Sequence, residues 1–317
     1  MMRNGWRLVA LVAMVVAVAM AACSSSSTGG GIGGTSRVLG AISAFGSIVV
    51  NGVTFDVDQA SVTIDGEPSA PADLQLGMVA AVSGTIDAGG RTGVAETVVV
   101  ELLVQGPVQS VDPASGTIRA LSQSILSDAT TVFDGVSLPD LAPGDAIAVS
   151  GFFDAEGRIR ASRVSPPIED EIALIGTIQD LDLGASTFRL NALVVRFGSA
   201  LIKNAPPGGL ADGLLVEVDA DDPPEDDVMD AIEVDAIGSF LSGDEGDLLE
   251  VEGFVTEVLG ANEFVVNATQ RVRFDDATIF VRGSAADVVL NARLEAEGTA
   301  DANGVLQATE IELAPDD

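Results

Sequence analysis

Short runs of alternating apolar and polar residues, separated by turns that contain glycine, recur along most of the chain. The clearest run spans residues 144–164, where the alternation continues on both sides of a turn at 154–157. Period-two alternation around such a turn predicts a β-hairpin. The pattern returns at 77–98, 213–234 and 291–311. Since no segment carries a sustained apolar stripe of helical period, any helices should be single turns.

The spacing of small residues indicates that these hairpins belong to an internal repeat. Each copy opens with a glycine, at Gly40, Gly106, Gly176 and Gly253. A second small residue follows 44 or 45 positions later, at Gly84, Gly151, Ala220 and Gly298. Four matches at one spacing indicate a repeat of roughly 65–75 residues. We number the copies unit one (37–103), unit two (104–165), unit three (172–237) and unit four (248–313).

Five short strands per unit predict an all-β fold of four tandem small barrels. Closing a five-stranded sheet removes the edges that it would otherwise expose, and the strand count and order resemble an OB-like barrel. A small β-sandwich is the alternative. In unit one, Asn51-Gly52 between two apolar strand segments predicts a type I′ turn. No linker separates Val98 from Val104, so we expect a continuous strand path that makes units one and two a rigid pair.

Residues 1–22 have the pattern of a lipoprotein signal peptide. Two arginines precede a 13-residue apolar core, which is too short to span a bilayer of about 30 Å. The small residues before Cys23 resemble the bacterial lipobox, whose cysteine is acylated; an ordinary secretory signal is the alternative. Cys23 is therefore the predicted lipidation site, and the Ser/Gly-rich residues 23–36 form a predicted flexible tether. Ser24 implies, by resemblance to enteric lipoproteins, sorting to the outer membrane.

Composition and charge narrow the possible chemistry. The chain has 48 acidic and 15 basic residues, a net charge of −33, which repels nucleic acid and anionic headgroups. It has no His, and Cys23 is its one cysteine. A His-based triad, a Cys–His dyad, a His/Cys zinc site and disulfides are therefore excluded. We expect no nucleic-acid partner and no enzymatic activity, since a carboxylate-dependent hydrolase would need two acids held across a cleft.

The hairpin loop of unit three is where composition suggests a ligand. Six acids lie within nine residues, at Asp219, Asp221, Asp222, Glu225, Asp226 and Asp227. Calcium takes six to eight oxygen ligands, which an acidic loop supplies without His. A solvated run of charge explains the same composition, and two prolines limit how the loop could wrap around an ion. The sequence therefore predicts a protein without a cofactor, with bound Ca²⁺ as the alternative.

A set of positions in units one and two carries a family resemblance. They are residues 44–53, 73–74, 77, 82–84, 106–108, 141, 144–151 and 161. Through them the chain resembles a repeat of bacterial envelope lipoproteins, domain-of-unknown-function family 5666. Units three and four lack the Gly-Ser-Ile-Val-Val-Asn-Gly string of residues 46–52 and are divergent. The resemblance implies a β-rich domain and an envelope location, and it implies no activity.

Together these features predict a lipid-anchored protein of the bacterial cell envelope, at the outer membrane, that acts as a non-catalytic binding or structural module. The lipid on Cys23 would hold it to the membrane, and its envelope partner would be a protein or a polymer. The first alternative is a calcium-binding surface protein that uses the loop 219–227. The second is a carboxylate-dependent hydrolase.

Overall fold

The computed structural model describes residues 35–44, 47–167 and 171–314, and these residues form an all-β protein, as the alternation predicts. Two single-turn 3₁₀ helices, Pro71–Asp73 and Ala285–Asp287, occur in this part of the chain, and each precedes a long strand. No helix within these ranges is long and apolar enough to cross a membrane.

Short strands fill every unit. Unit one contains β1 (Thr35–Ala44), β2 (Ile48–Val50), β3 (Val53–Asp56), β4 (Ser61–Ile64), β5 (Glu67–Ser69), β6 (Val79–Ile86) and β7 (Thr92–Val100). Unit two contains β8 (Val104–Asp112), β9 (Thr117–Ala120), β10 (Gln123–Leu126), β11 (Val132–Phe133), β12 (Ala146–Phe153) and β13 (Ile159–Ser165). Unit three contains β14 (Ile172–Thr177), β15 (Gln179–Asp182), β16 (Thr187–Leu190), β17 (Leu193–Arg196), β18 (Leu201–Lys203), β19 (Leu215–Ala220), β20 (Val228–Asp230) and β21 (Glu233–Ala236). Unit four contains β22 (Leu248–Gly260), β23 (Glu263–Val266), β24 (Gln270–Arg273), β25 (Ile279–Val281), β26 (Arg293–Ala300) and β27 (Leu306–Leu313).

Hydrogen-bonded pairs close the strands of units one, two and four into five-stranded rings. In unit one the ring runs β1–β2–β3–β7–β6 and returns to β1. The rings β8–β9–β10–β13–β12 and β22–β23–β24–β27–β26 repeat this order in units two and four. In each ring the third and last strands are parallel and the other neighbours are antiparallel. The OB-like barrel is confirmed, and the sandwich alternative is not adopted.

Each unit also has a short strand outside the ring of five, and unit one has a second, β5, which pairs with β4. In each unit one such strand lies parallel to the last strand, beyond the segment of the last strand that pairs with the third strand. These strands are β4, β11, β18 and β25. The last strand, or its continuation in unit three, is long enough to pair with two short strands in succession. Five strands close each barrel, and the extra strand extends the wall.

Unit three has the same order, but its first and last strands are interrupted. The first strand is divided into β14 and β15 at Ile178, whose backbone N–H donates to the carbonyl of Leu214. The last strand is divided into β20 and β21, and the N–H of Ala231 in the break donates to the carbonyl of Arg196. These hydrogen bonds keep the barrel wall continuous at both interruptions.

The second glycine of the repeat is explained by a bulge in the fourth strand of the barrel. The register shifts between Ser83 and Gly84, and the same shift occurs before Gly151 and Gly298. A Cβ at any of these glycines would clash with a carbonyl oxygen of the partner strand. Glycine is therefore required wherever this bulge occurs. No such shift is recorded at Ala220, where β19 ends and the acidic loop begins.

The units associate in pairs that the sequence did not predict. β1 of unit one lies parallel to β22 of unit four, from Ser36 opposite Leu248 onward, so the strand includes the last two residues of the predicted tether. β8 of unit two pairs antiparallel with β14 of unit three. Units two and three also share one apolar core, whereas units one and four each have a core of their own.

The predicted continuous strand from unit one into unit two is wrong. β7 ends at Val100, and β8 belongs to a different sheet. The backbone leaves the first sheet because the N–H of Leu102 donates to the Asp65 carboxylate and that of Leu103 donates to the carbonyl of Val149 in unit two. The two units still touch, since Ser162 Oγ donates to the carbonyl of Gly77 at 2.6 Å.

Candidate functional site

A cavity of about 250 Å³ lies where the units meet. Its lining comes from the outer face of the unit-one barrel, from unit two, from the last residue of unit three and the segment that follows it, and from unit four. The apolar lining residues are Leu39, Val79, Ala81, Val82, Val99, Leu103, Phe152, Phe153, Ile237, Phe240 and Leu241. The polar lining residues are Arg37, Ser83, Thr97, Glu101, Ser239, Ser242 and Asn267. An apolar hollow with a few polar groups at its margin is the usual form of a small-molecule site.

Three adjacent strands of unit one form the floor of the cavity. Their register places Leu39, Ala81 and Val99 side by side across β1, β6 and β7. Because side chains alternate between the two faces of a strand, these residues point outward from the barrel whose core their neighbours fill. The next outward row is Arg37, Ser83 and Thr97. The floor thus has an apolar centre and one polar side.

The walls are supplied by aromatic and aliphatic side chains from other parts of the chain. Phe152 and Phe153 close β12 of unit two, and both are buried. Phe240 and Leu241 belong to residues 238–246, which lie between units three and four and which the sequence predicts to be a linker. The Ser239 hydroxyl accepts from the N–H of Leu241 and donates to its carbonyl at 2.9 Å, which holds this segment in a tight turn. The linker is therefore a structured wall of the cavity.

Glu101 is the acidic group in the cavity lining. It follows the last residue of β7, continues the outward row of that strand, and in the described part of the chain makes no hydrogen bond or ion pair. Burial, together with the charges of Asp65 and Asp235, raises the pKa of Glu101 to about 7. Arg37, the basic residue of the lining, contacts Asp247 at 3.3 Å instead.

Further carboxyl groups from unit three lie beside Glu101. Burial raises the pKa of Glu217 to about 8, with contributions from Asp65, Asp219 and Glu101 among others. The pKa of Asp219 rises to about 6, again mainly by burial. Of the acids Asp65, Glu101, Glu217 and Asp235, Glu101 lines the cavity and the others lie behind it; we call the four the acidic end of the cavity. Lys203 lies near Asp219 and Asp235, where it forms its ion pair with Glu233.

The residues that line the cavity offer contacts for a bound molecule. A carboxyl with a pKa near 7 exchanges its proton at neutral pH. The lining holds three serines and a threonine, yet no base is hydrogen-bonded to any of their hydroxyls in the described structure, as an activated nucleophile requires. The apolar floor and the aromatic walls favour a small, mainly apolar molecule, and Glu101 adds a single acidic contact.

The structure does not gather the six acids of the predicted calcium loop. Asp219 lies within β19, whereas Asp221, Asp222 and Glu225 are exposed in the loop. Asp227 accepts from Arg119 at 2.7 Å and from the Ser122 hydroxyl at 2.6 Å, and these bonds to unit two lower its pKa. Asp226 and Asp227 have positive φ values, as the central residues of the turn at the tip. Within the described ranges no group of three or more His, Cys, Asp or Glu side chains is arranged to hold a metal ion. Calcium binding here stays a prediction.

The other predicted functional residue cannot be placed. Cys23, the signal peptide at 1–22 and the tether as far as residue 34 lie outside the described residues.

Sequence reasoning missed the cavity, although a signal for it was present. A strand with one face in water alternates, but the runs 79–82 and 98–100 are apolar at consecutive positions. Such runs are typical of strands that are covered on both faces. The outward apolar residues Ala81 and Val99 marked the covered face of unit one. What covers it is contributed from more than 50 residues further along the chain, and no local pattern shows that.

Fold and cavity together define a class: an all-β protein of tandem OB-like barrels that enclose a hollow between units. The family model for "Domain of unknown function (DUF5666)" matches residues 38–98, 105–165 and 246–312, which is more than half of the chain. The chain belongs to this family, and the resemblance of units one and two is confirmed. Unit four matches as well, despite its divergence. Unit three is not among the matched segments.

Other comparisons add little to this assignment. No curated protein matches the chain. A solved structure titled "drosophila Unr CSD456" matches with 14% sequence identity over 68% of this chain and 97% of that one. Its TM-score is 0.18, too low for the two structures to support an argument from one to the other.

Proposed function

We propose that this protein is a lipid-anchored module of the bacterial cell envelope that binds a small ligand in the cavity between its units, without catalysis. The cavity carries this proposal. It is apolar at its centre, has a polar margin, and is built from parts of the chain that are distant in sequence. Tandem barrels without a ligand would need only to fill the space between them, whereas this arrangement leaves room for a molecule.

Blocking the cavity tests the binding proposal. We expect phenethyl alcohol, a neutral probe of nine non-hydrogen atoms, to bind the tether-free protein (residues 35–317) in ligand-observed NMR. Ala81→Phe should abolish this signal, because the ring fills the centre of the floor and points away from the barrel core. Ala302→Phe, at an exposed turn of unit four, adds the same ring elsewhere and should leave binding unchanged. Binding that survives Ala81→Phe, or no binding to the wild type, would refute a ligand cavity.

The anchor requires a separate test. Since the lipid would attach through the Cys23 thiol, Cys23→Ala should remove labelling by a fatty-acid probe and release the protein from the membrane fraction. Unchanged partitioning of the variant would contradict the lipid anchor and leave the cavity proposal intact.

A further inference from the structure

Units one and four are joined edge to edge by a short pair of strands. Residues 36–39 of β1 lie parallel to residues 248–251 of β22, and we call these two paired segments the joint. Each unit has a closed ring of strands and a core of its own, so separation of the joint leaves both barrels intact. Leu39, which belongs to the joint, also lines the cavity. A change at the joint therefore also changes the cavity.

A buried carboxyl lies in the joint. Glu250 is opposite Val38 of β1 and is only 8% exposed. Its Oε1 accepts no hydrogen bond from the described residues, and the same is true of the buried Oδ1 of Asn51, whose amide lies beside the Glu250 carboxyl. The Nδ2 of Asn51 donates to the carbonyl of Leu39 at 3.2 Å. Buried polar atoms are nearly always paired in native proteins, so these two acceptors show that a donor is needed here.

A second carboxyl faces Glu250 from the neighbouring strand. The side chain of Glu295 in β26 lies within hydrogen-bonding reach of Glu250. Two carboxylates at this range do not both ionise readily, whereas a proton on one of them lets it donate to the other. Burial is the main cause that raises the pKa of Glu250 well above its usual value and the pKa of Glu295 to about 7. A proton shared by the pair supplies the donor that the joint needs.

The charged groups around the pair do not replace this proton. On the outer face of unit four, carboxyls lie directly opposite one another in the pairs Glu250–Glu297, Glu252–Glu295, Glu295–Glu312 and Glu297–Glu310. Like charges placed opposite each other destabilise a sheet. The basic side chains that reach this face are engaged, Arg293 with Glu252 and Arg282 with Glu312. Arg37 of β1 lies on the cavity face and contacts Asp247.

We infer that the joint is a pH-sensitive hinge: a proton shared by Glu250 and Glu295 stabilises the pairing of β1 with β22, and its loss at higher pH allows units one and four to separate there. Without the proton, two buried carboxylates repel each other, and separation exposes both to water. The hinge requires no ligand, so it stands or fails independently of the proposed function. Because Leu39 is part of the joint, separation also uncovers one side of the cavity floor.

The raised pKa values fix the direction and the pH range of the effect. A carboxyl whose pKa is higher in the closed joint contributes its full stability below its ordinary pKa, near 4, and loses it as the pH rises through the closed value. For one shared proton, the equilibrium constant for opening should rise roughly tenfold per pH unit between about pH 5 and pH 7.

Amide hydrogen exchange measures this opening, because exchange reports local separation even when the open state is rare. We expect residues 36–39 and 248–251 to exchange faster than β26 and β27 of the unit-four barrel. After correction for the intrinsic pH dependence of exchange, the protection of the joint should fall roughly a hundredfold from pH 5 to pH 7. If the joint exchanges only as slowly as β26 and β27 at every pH, it does not open separately and the hinge is overturned.

Matched variants assign the pH dependence to the carboxyl pair. Glu250→Gln is neutral at every pH and should remove the fall in protection, so that at pH 8 its joint is at least tenfold better protected than the wild-type joint. Glu257→Gln makes the same change at an exposed position of β22 beyond the joint and should behave as the wild type. If Glu250→Gln fails to fold, Glu295→Gln tests the same pair from the other strand. A fall in protection that persists in the variant of the pair would overturn the inference.

Discussion

The carboxyl groups at the acidic end of the cavity and those of the acidic loop differ in their surroundings. Loop residues such as Asp221 and Asp222 are exposed to solvent, and Asp227 is paired with Arg119. Glu101 and Glu217 are half-buried, and neither forms an ion pair with another described residue. The loop has the higher density of acids, but the acids beside the cavity are the ones whose pKa values burial raises. Burial therefore separates the two regions better than the number of acids in a segment does.

The largest expected effect is the pH dependence of stability, which the buried acids should dominate. Burial raises the pKa of Glu217 to about 8, of Glu101 and Glu295 to about 7, and of Asp219 to about 6. Burial also raises the pKa of Glu250, which lies beside Glu295. A carboxyl whose pKa is higher in the folded state contributes its full stability below its ordinary pKa, near 4, and loses it as the pH rises through the folded value.

The free energy of unfolding should therefore fall by on the order of 5 kcal/mol between pH 5 and pH 9, after allowance for solvent screening. Urea unfolding followed by circular dichroism at a series of pH values would measure it. Exposed acids with lowered pKa values, Asp87 and Asp112 among them, lose their contribution only when the pH falls below about 4. Stability that is flat or rises from pH 5 to pH 9 would contradict the burial of these carboxyls.

A single substitution sharpens the comparison between the two regions. Glu217→Gln removes a buried charge at the acidic end and should raise the free energy of unfolding at pH 8.5 by about 2 kcal/mol, because the amide needs no proton to be neutral. Glu225→Gln makes the same change in the exposed loop and should change stability by less than about 0.5 kcal/mol. Urea unfolding of both variants measures the difference. Equal effects would show that the acids of the cavity are as well solvated as those of the loop.

The contact between Asp227 and unit two should have a smaller effect. Asp227→Asn loses the ion pair with Arg119 and weakens the bond to Ser122, and both charged side chains are more than a third exposed. The expected loss is about 0.5 kcal/mol, which is typical of exposed ion pairs, and it should shrink in high salt. Asp222→Asn is the control without a bond to unit two. A loss of several kcal/mol would mean that the loop holds units two and three together.

Calcium should have no specific effect on the loop. Millimolar CaCl₂ and NaCl of equal ionic strength should shift the melting temperature equally, since both only screen the repulsion among exposed acids. Asp221, Asp222 and Asp226 changed together to Asn should reduce both shifts alike and leave the bond at Asp227 in place. A rise in calcium alone that the triple variant loses would reverse the comparison and make the loop the ligand site.

Local sequence signals predicted most of the fold within each unit. Alternation located the strands, and Asn51-Gly52 located a turn in which both residues have positive φ. The equivalent turns at Leu121–Ser122 and Asn267–Ala268 have the same backbone signs without a glycine. The barrel imposes their strained conformation, so the residue types at these positions did not predict the turns.

The arrangement of the units could not be read from the sequence. The pairing of β1 with β22 joins segments more than 200 residues apart, and parallel neighbours leave no mark in either strand. Because the cavity lies only where units meet, its lining residues could not be predicted for the same reason. Glu101 follows an apolar run and resembles any acid at a strand end. Its environment is set by Asp65, Asp235 and Glu217, which three different segments bring to it.

The central claim is that the cavity, and not the acidic loop, is where this protein meets its ligand. The most direct test is a titration of protein carrying ¹³C-labelled Ala, Leu and Val methyl groups with phenethyl alcohol. The account predicts saturable shifts at the methyl groups of Leu39, Ala81 and Val99, and none at Val228 beside the acidic loop. Shifts that centre on Val228, or a spectrum that does not change at millimolar probe, would contradict it.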